Sequence, residues 1–380
     1  MQRKSPRTLA VQGVSPRGDV IVSPIHRSAT YPLGEPESFD DIRYIRLNNT
    51  PSQRAVESTL AALERTDAAL VTPSGTAAIW IALTGSLGPG DRVVVPRRIY
   101  GGTRKILQHL TEREGIVARQ VDLDNPDEWD EAAEGARAFF FESISNPWVS
   151  VAPMEEIAAF CQARDMLSIV DNTLATPVMC TPRSMGVSLV VHSASKALNG
   201  HADVVAGVIA GDAERIQRLR KLANRLGVCP DPQACWLLAR GLQTLHLRVE
   251  AQCANALAVA RAVSEHVPTL YPGLEGHPGH ARARALFGDR FGSVVTVDLE
   301  TSESARAMIE NLSIAVEAPS LGGVQTLVTR PTTTSHAGLP DDAVRSMGVS
   351  PGWVRLAIGC ESPTDLVEDA LHAIHRAQMK

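Results

Sequence analysis

Apolar positions along this chain fall into short runs separated by stretches of helical period. The strand-like runs are Ala69–Val71, Arg92–Val95, Ala138–Phe141, Ser168–Val170, Leu189–Val191 and Val204–Ile209. They are the length of buried strands and too short for buried helices. Amphipathic stretches such as Met154–Arg164 lie between several of them. Ahead of them, Val56, Leu60 and Leu63 sit at helical spacing in Ser52–Glu64, and Pro51 suits a first helical turn. This alternation predicts an α/β domain whose mostly parallel sheet is covered by helices on both faces. The last two runs are close together, which predicts a hairpin or short turn between them.

The pattern changes near residue 235. Gln233–Arg261 is nearly free of Gly and Pro and predicts one long helix. Ser293–Leu299 alternates like a half-buried strand, Val354–Ile358 reads as another, and Pro363–Gln378 as a closing helix. Residues 1–45 are rich in Pro, Arg, Ser and Gly and predict an extended arm. The expected organisation is therefore an arm (1–45), an α/β domain (46–235) and a smaller C-terminal α+β domain (236–380).

Composition narrows the function. A net charge of −5 gives no electrostatic reason to expect nucleic acid or an anionic membrane as partner. The clusters Arg97-Arg98 and Arg215–Arg225 then read as solvated faces. Six cysteines show no Cys-x-x-Cys pair and no zinc spacing, so reduced thiols are expected and no metal. The basic N-terminus lacks an apolar signal core, and no stretch reaches the ~18 apolar residues of a membrane span. A cytoplasmic protein is expected.

Four segments carry candidate chemistry. Thr72-Pro73-Ser74-Gly75-Thr76 follows a strand-like run and opens a helical one, a place where small residues let backbone N–H groups approach an anion. An ordinary helix cap would look the same. Asp171 ends an apolar run, at the sheet rim where open α/β sheets bind ligands, or it caps the next turn. Lys196, in Ser193-Ala194-Ser195-Lys196, follows a buried run, where an amine must pair or lose its charge. Tyr100-Gly101-Gly102-Thr103 offers an aromatic face beside a flexible turn, or simply a partly buried tyrosine.

Taken in order, these segments resemble the Cys/Met-metabolism family of pyridoxal-5′-phosphate (PLP) enzymes, the trans-sulfuration group of cystathionine γ-synthases, cystathionine lyases and methionine γ-lyases. Asp171 stands 25 residues before Lys196, as in that family. Tyr44-Ile45-Arg46, Glu142-Ser143-Ile144-Ser145-Asn146-Pro147, Lys196 to Gly207, Ser320-Leu321-Gly322-Gly323 and Val354 to Gly359 extend the resemblance over nearly the whole chain. It implies the PLP-dependent transferase fold (fold type I). It also implies a Schiff base on Lys196, which then moves the Cα proton, with Asp171 on the pyridine nitrogen and Tyr100 stacked on the ring. Gly75, Thr76, Ser193 and Ser195 would hold the phosphate. Tyr44 and Arg46 would arrive from a neighbouring subunit, in a dimer that pairs into a tetramer. Arg355, helped by Ser320 and Asn146, would grip the carboxylate of an amino-acid substrate.

The implied activity is β- or γ-elimination, or γ-replacement. An aminotransferase on the same fold is the alternative, and a non-enzymatic binding protein a third reading. Gly102 departs from the cysteine of methionine γ-lyases, and Gln325 stands where many relatives carry Glu. Thr76 stands for a commoner Met, and Ser195 for a Thr. His201 and His336 are expected to be structural hydrogen-bonders, because Lys196 already supplies the proton transfer.

Overall fold

The computed structural model describes residues 4–13, 20–334 and 347–379. His336 lies outside them. A seven-stranded sheet comprises β1 (Ala68–Thr72), β2 (Arg92–Pro96), β3 (Val117–Val121), β4 (Ala136–Glu142), β5 (Leu167–Asp171), β6 (Leu189–Ser193) and β7 (Gly207–Gly211). Its order is β1-β7-β6-β5-β4-β2-β3. Only β7 runs antiparallel to its neighbours. In β4, Phe139 and Phe141 enter one core and Phe140 the other, all fully buried. That alternation is the pleat exposing successive side chains to opposite faces, and it explains why the run reads as continuously apolar.

A second, five-stranded sheet holds β8 (Thr269–Leu270), β9 (Val294–Asp298), β10 (Val316–Glu317), β11 (Leu327–Thr329) and β12 (Trp353–Ala357), in the order β10-β11-β12-β9-β8. The helix Leu245–Val263 packs on the closing helix Pro363–Gln378 beside this sheet.

Five expectations need correction. β3 is an edge strand whose Arg119 and Gln120 are not buried, so no apolar run announced it. The run Val204–Ile209 becomes a strand only at Gly207, because Ala206 is hydrogen-bonded to Ser195 through both its N–H and its carbonyl. β6 and β7 do pair antiparallel, but their connection is the long turn that carries Lys196. The single long helix is two, Pro232–Leu242 and Leu245–Val263. The break follows Gly241, where a Cβ would stand 2.4 Å from the Asn199 carbonyl. Within the arm, Ser5 caps a short helix, Pro6–Gln12.

The basic cluster also divides. Arg218 pairs with Glu214 on the surface, but Arg220 is buried and forks onto Glu57 with two bonds of 3.0 Å. It also donates to the carbonyls of Asn48 and Ala69, tying the helix Ala213–Leu226 to the start of the domain.

Candidate active site

A cavity of about 730 Å³ opens at the ends of β4, β5 and β6 and is closed on one side by residues of the second sheet. It brings together ten of the twelve expected residues: Gly75, Thr76, Tyr100, Asn146, Asp171, Ser193, Ser195, Lys196, Ser320 and Arg355. Tyr44 and Arg46 lie outside it within the single chain. Arg46 donates to the Asn224 carbonyl (3.2 Å) and lies over the Tyr44 and Phe39 rings.

The helix Gly75–Thr84 points its N-terminus into the cavity. Ser74 Oγ accepts from Ala77 N (3.0 Å), which leaves the Gly75 and Thr76 N–H groups without an acceptor inside the helix. Gly75 is pressed on Ser193, where a Cβ would stand 2.7 Å from the serine Cβ, so only glycine allows this approach. Ser195 Oγ donates to Ala206 O (3.2 Å) and accepts from Ala206 N (3.0 Å), which fixes the start of the lysine turn.

Asp171 ends β5, and Thr173 donates to its Oδ1 from both N–H (3.0 Å) and hydroxyl (2.5 Å). Burial raises its carboxyl above the usual range, while the Thr173 bonds and then His192 hold it down. His192 is fully buried and paired with Glu64 (2.5 Å). Glu142 ends β4 and stands directly opposite Asp171 in the ladder. Its Oε1 accepts from Tyr100 N (2.8 Å), and its Oε2 is buried without a partner. Thr173, His192, Glu64 and Glu142 carried no assigned role in the sequence. Thr173, two residues past an Asp, and Glu142, at the end of the apolar run Ala138–Phe141, have local signals, whereas Glu64 and His192 have none.

On the opposite wall, Lys196 Nζ donates to Ser320 Oγ (2.7 Å). Burial, then Arg355, lowers the amine below its ordinary value. Arg355 is buried, donating to Ser320 O (2.6 Å) and Asn146 Oδ1 (3.3 Å), and its Nε is unpartnered. Burial brings it down to about 10. Ser320 adopts φ +120°, which L-residues rarely enter, so this corner is held by its surroundings. Tyr100 is part exposed and its ring lies on Gly102, where any Cβ would come within 2.4 Å of it. Gln325 is exposed and does not line the cavity. His201 bonds the Asn199 carbonyl (2.7 Å). A smaller cavity of about 410 Å³ abuts Glu142 and is lined by Arg97, Arg98 and Arg104, with Arg97 paired to Glu128 (2.6 Å).

Glu142 makes a testable pH dependence. Burial, then Asp171, pushes its carboxyl from 4.5 up to about 8. The folded chain therefore keeps a proton that the unfolded chain releases. The stability this group contributes is complete below pH 4.5 and is lost as pH rises to about 8. In cofactor-free protein, the Tm of E142Q relative to wild type is expected to rise by a few degrees between pH 5 and pH 8, then level off. A constant difference across that range contradicts the assignment.

The arrangement suits one kind of ligand. Free helix N–H groups and Ser193 form an anion site, and a buried carboxylate and an amine of lowered basicity line the same cavity. A phosphate, a protonated ring nitrogen and an aldehyde match these three features. Fold and site thus define a PLP-dependent enzyme of fold type I. Comparison with known proteins gives the family. The model for "Cys/Met metabolism PLP-dependent enzyme" matches residues 7–375, and the chain belongs to that family. It is 36% identical to a cystathionine β-lyase of Lactococcus lactis over 93% of each chain. It is 34% identical to a cystathionine γ-lyase of Bacillus subtilis over 92% of this chain and 93% of that one. A cystathionine γ-synthase from Xanthomonas oryzae pv. oryzae, solved in complex with cystathionine, superposes with a TM-score of 0.93 at 32% identity, covering 99% of both chains. The chain is a PLP-dependent lyase or transferase of the trans-sulfuration type, and the aminotransferase reading is not favoured.

Proposed function

We propose that this enzyme eliminates or replaces the β- or γ-substituent of a sulfur-bearing amino acid of the cystathionine type, with Lys196 as cofactor attachment point and proton carrier. One observation carries the reading: the Lys196 amine and the Arg355 guanidinium meet at a single residue, Ser320, at 2.7 and 2.6 Å. A substrate carboxylate held by the Arg355 fork and Asn146 leaves its Cα beside that amine. Bound PLP supplies an electron sink for the charge that develops at Cα.

The residues divide the remaining work. Gly75, Thr76 and Ser193 would take the phosphate, and Ser195, bonded both ways to Ala206, would hold the turn beside it. Asp171, whose charged form is disfavoured by burial and supported by the Thr173 bonds and His192, would face the ring nitrogen. Tyr100 covers the ring face from its seat on Gly102. Lys196, its basicity lowered by burial and Arg355, takes the Cα proton and returns it at the leaving group or at the carbon freed by elimination.

Tyr44 and Arg46 complete the phosphate site of a neighbouring subunit, in a dimer that pairs into a tetramer. The exposed apolar side chains of Ile21, Val22, Leu33 and Phe39 in the arm support this. Sedimentation of the active species as a monomer would remove this part. All six cysteines are free, which fits a reducing, cytoplasmic setting.

The test is a substrate panel of cystathionine, O-acyl-homoserines, methionine and cysteine, read by mass spectrometry. The expected products are a 2-oxo acid with ammonia, or an exchanged thioether. Cofactor accumulating in its amine form instead would favour transamination and overturn the reading.

A further inference from the structure

The helix Leu245–Val263 lies in the core, yet one of its faces carries Arg248, Gln252 and Asn255, spaced four and three residues apart and all buried. Each donates to main-chain carbonyls. Arg248 donates to Ala197 O (2.7 Å), Leu198 O (3.4 Å) and Gly241 O (2.7 Å), and its Nε to Thr244 Oγ1 (3.0 Å). Gln252 donates to Gly323 O (2.6 Å). Asn255 donates to Gly359 O (3.1 Å) and Glu361 O (2.8 Å). Among the described residues no carboxylate pairs with Arg248. A buried cation without an anion is costly, and a core helix would be cheaper with apolar side chains there.

The carbonyls it holds explain the expense. Apart from Gly241, at the end of the preceding helix, they belong to three segments distant in sequence: the turn after Lys196, the loop after Ser320 and the exit of the strand that carries Arg355. The segments also bond to each other, Val324 N to Gly200 O (3.0 Å) and Cys360 N to Val324 O (2.8 Å). The Lys196 turn is fitted to the guanidinium. Gly200 has φ +76°, and a Cβ there would lie 1.8 Å from Arg248 Nη1. Gly322 likewise rests on Ala197, where a Cβ would lie 2.6 Å from its backbone N.

We propose that the stripe Arg248–Gln252–Asn255 is a positioning device that fixes the Lys196 amine relative to the two groups, Ser320 and Arg355, that orient the substrate carboxylate. The inference rests on the roles given above to Lys196 and Arg355. Side-chain donors on one helix reach all three loops and, together with the bonds between the loops, set their spacing. A shift of about 1 Å between base and Cα costs on the order of 10²-fold in rate.

The experiment compares R248M, R248K and Q252M with wild type. Folding is checked by circular dichroism and Tm. Attachment of PLP to Lys196 is mapped by borohydride reduction and peptide mass spectrometry. The pH profile of Lys196 acylation is measured in cofactor-free protein, and kcat and KM in the loaded enzyme. R248M and Q252M are expected to fold and to retain the cofactor on Lys196. Their acylation midpoint should shift, and kcat should fall by on the order of 10²-fold while KM changes less. R248K should recover part of both. Folded variants with a lowered Tm but wild-type midpoint and kcat would reduce the stripe to a structural role and overturn the proposal. Should R248M fail to fold, Q252M and R248K decide by the same readouts. Cofactor absent from Lys196 in the wild type would instead sink the underlying site assignment.

Discussion

Lys196→Ala is expected to purify without a visible cofactor band and to turn over cystathionine-type substrates at least on the order of 10³-fold more slowly. The position has no substitute. Lys196 is the only amine lining the cavity among the described residues. Glu142 is kept protonated up to about pH 8, and Tyr100 is raised above its ordinary value by burial, Asp171 and Glu142. The His192 ring is committed to Glu64. None of these is a competent base near neutral pH, and a positioned base contributes ~10²–10⁴-fold. Lys196→Arg should not rescue, since a guanidinium keeps the charge but cannot give up a proton in this range. Cofactor that survives dialysis of Lys196→Ala, with its mass on another residue, would refute the assignment.

The second large effect concerns Arg355. Replacing it by Met is expected to raise KM and lower kcat/KM by on the order of 10²-fold or more. Two charge-assisted bonds to a carboxylate are lost, each worth roughly 1.5–3 kcal/mol. Lysine at 355 should recover little, because an ammonium cannot fork. The cofactor-free R355M protein should nonetheless melt no lower than wild type. Arg355 is a buried cation with no carboxylate partner among the described residues and an unpartnered Nε. Removing such a charge relieves desolvation, a trade of stability for binding. Steady-state kinetics and thermal melts together check this. An unchanged KM would mean that the carboxylate is gripped elsewhere.

Much of this site was legible along the chain. Gly75, Asp171 and Lys196 each sit at the end of an apolar run, and local chemistry marks strand ends: a small residue before a helix, a carboxylate before a turn, a lysine where solvent is excluded. The helix Pro363–Gln378 was legible to the residue, because its capping serine, its proline and its apolar period are all local. What escaped was either weakly buried or made by distant partners. The edge strand β3 is polar on its open side and offers no period.

The Glu64–His192 pair, the contact of Lys196 with Ser320 and the grip of Arg248 on Ala197 join residues 128, 124 and 51 positions apart. Local pattern records which face of an element is buried, since water excludes apolar side chains wherever they are in the chain. It does not record which buried faces meet. The sequence by itself determined a PLP-type strand-end constellation and the residues that compose it. Only packing of the second sheet and its helix against the first decided that Ser320 would meet both Lys196 and Arg355, and that Arg248 would meet the turn after Lys196, because those distances are set by how two independently patterned layers fit together.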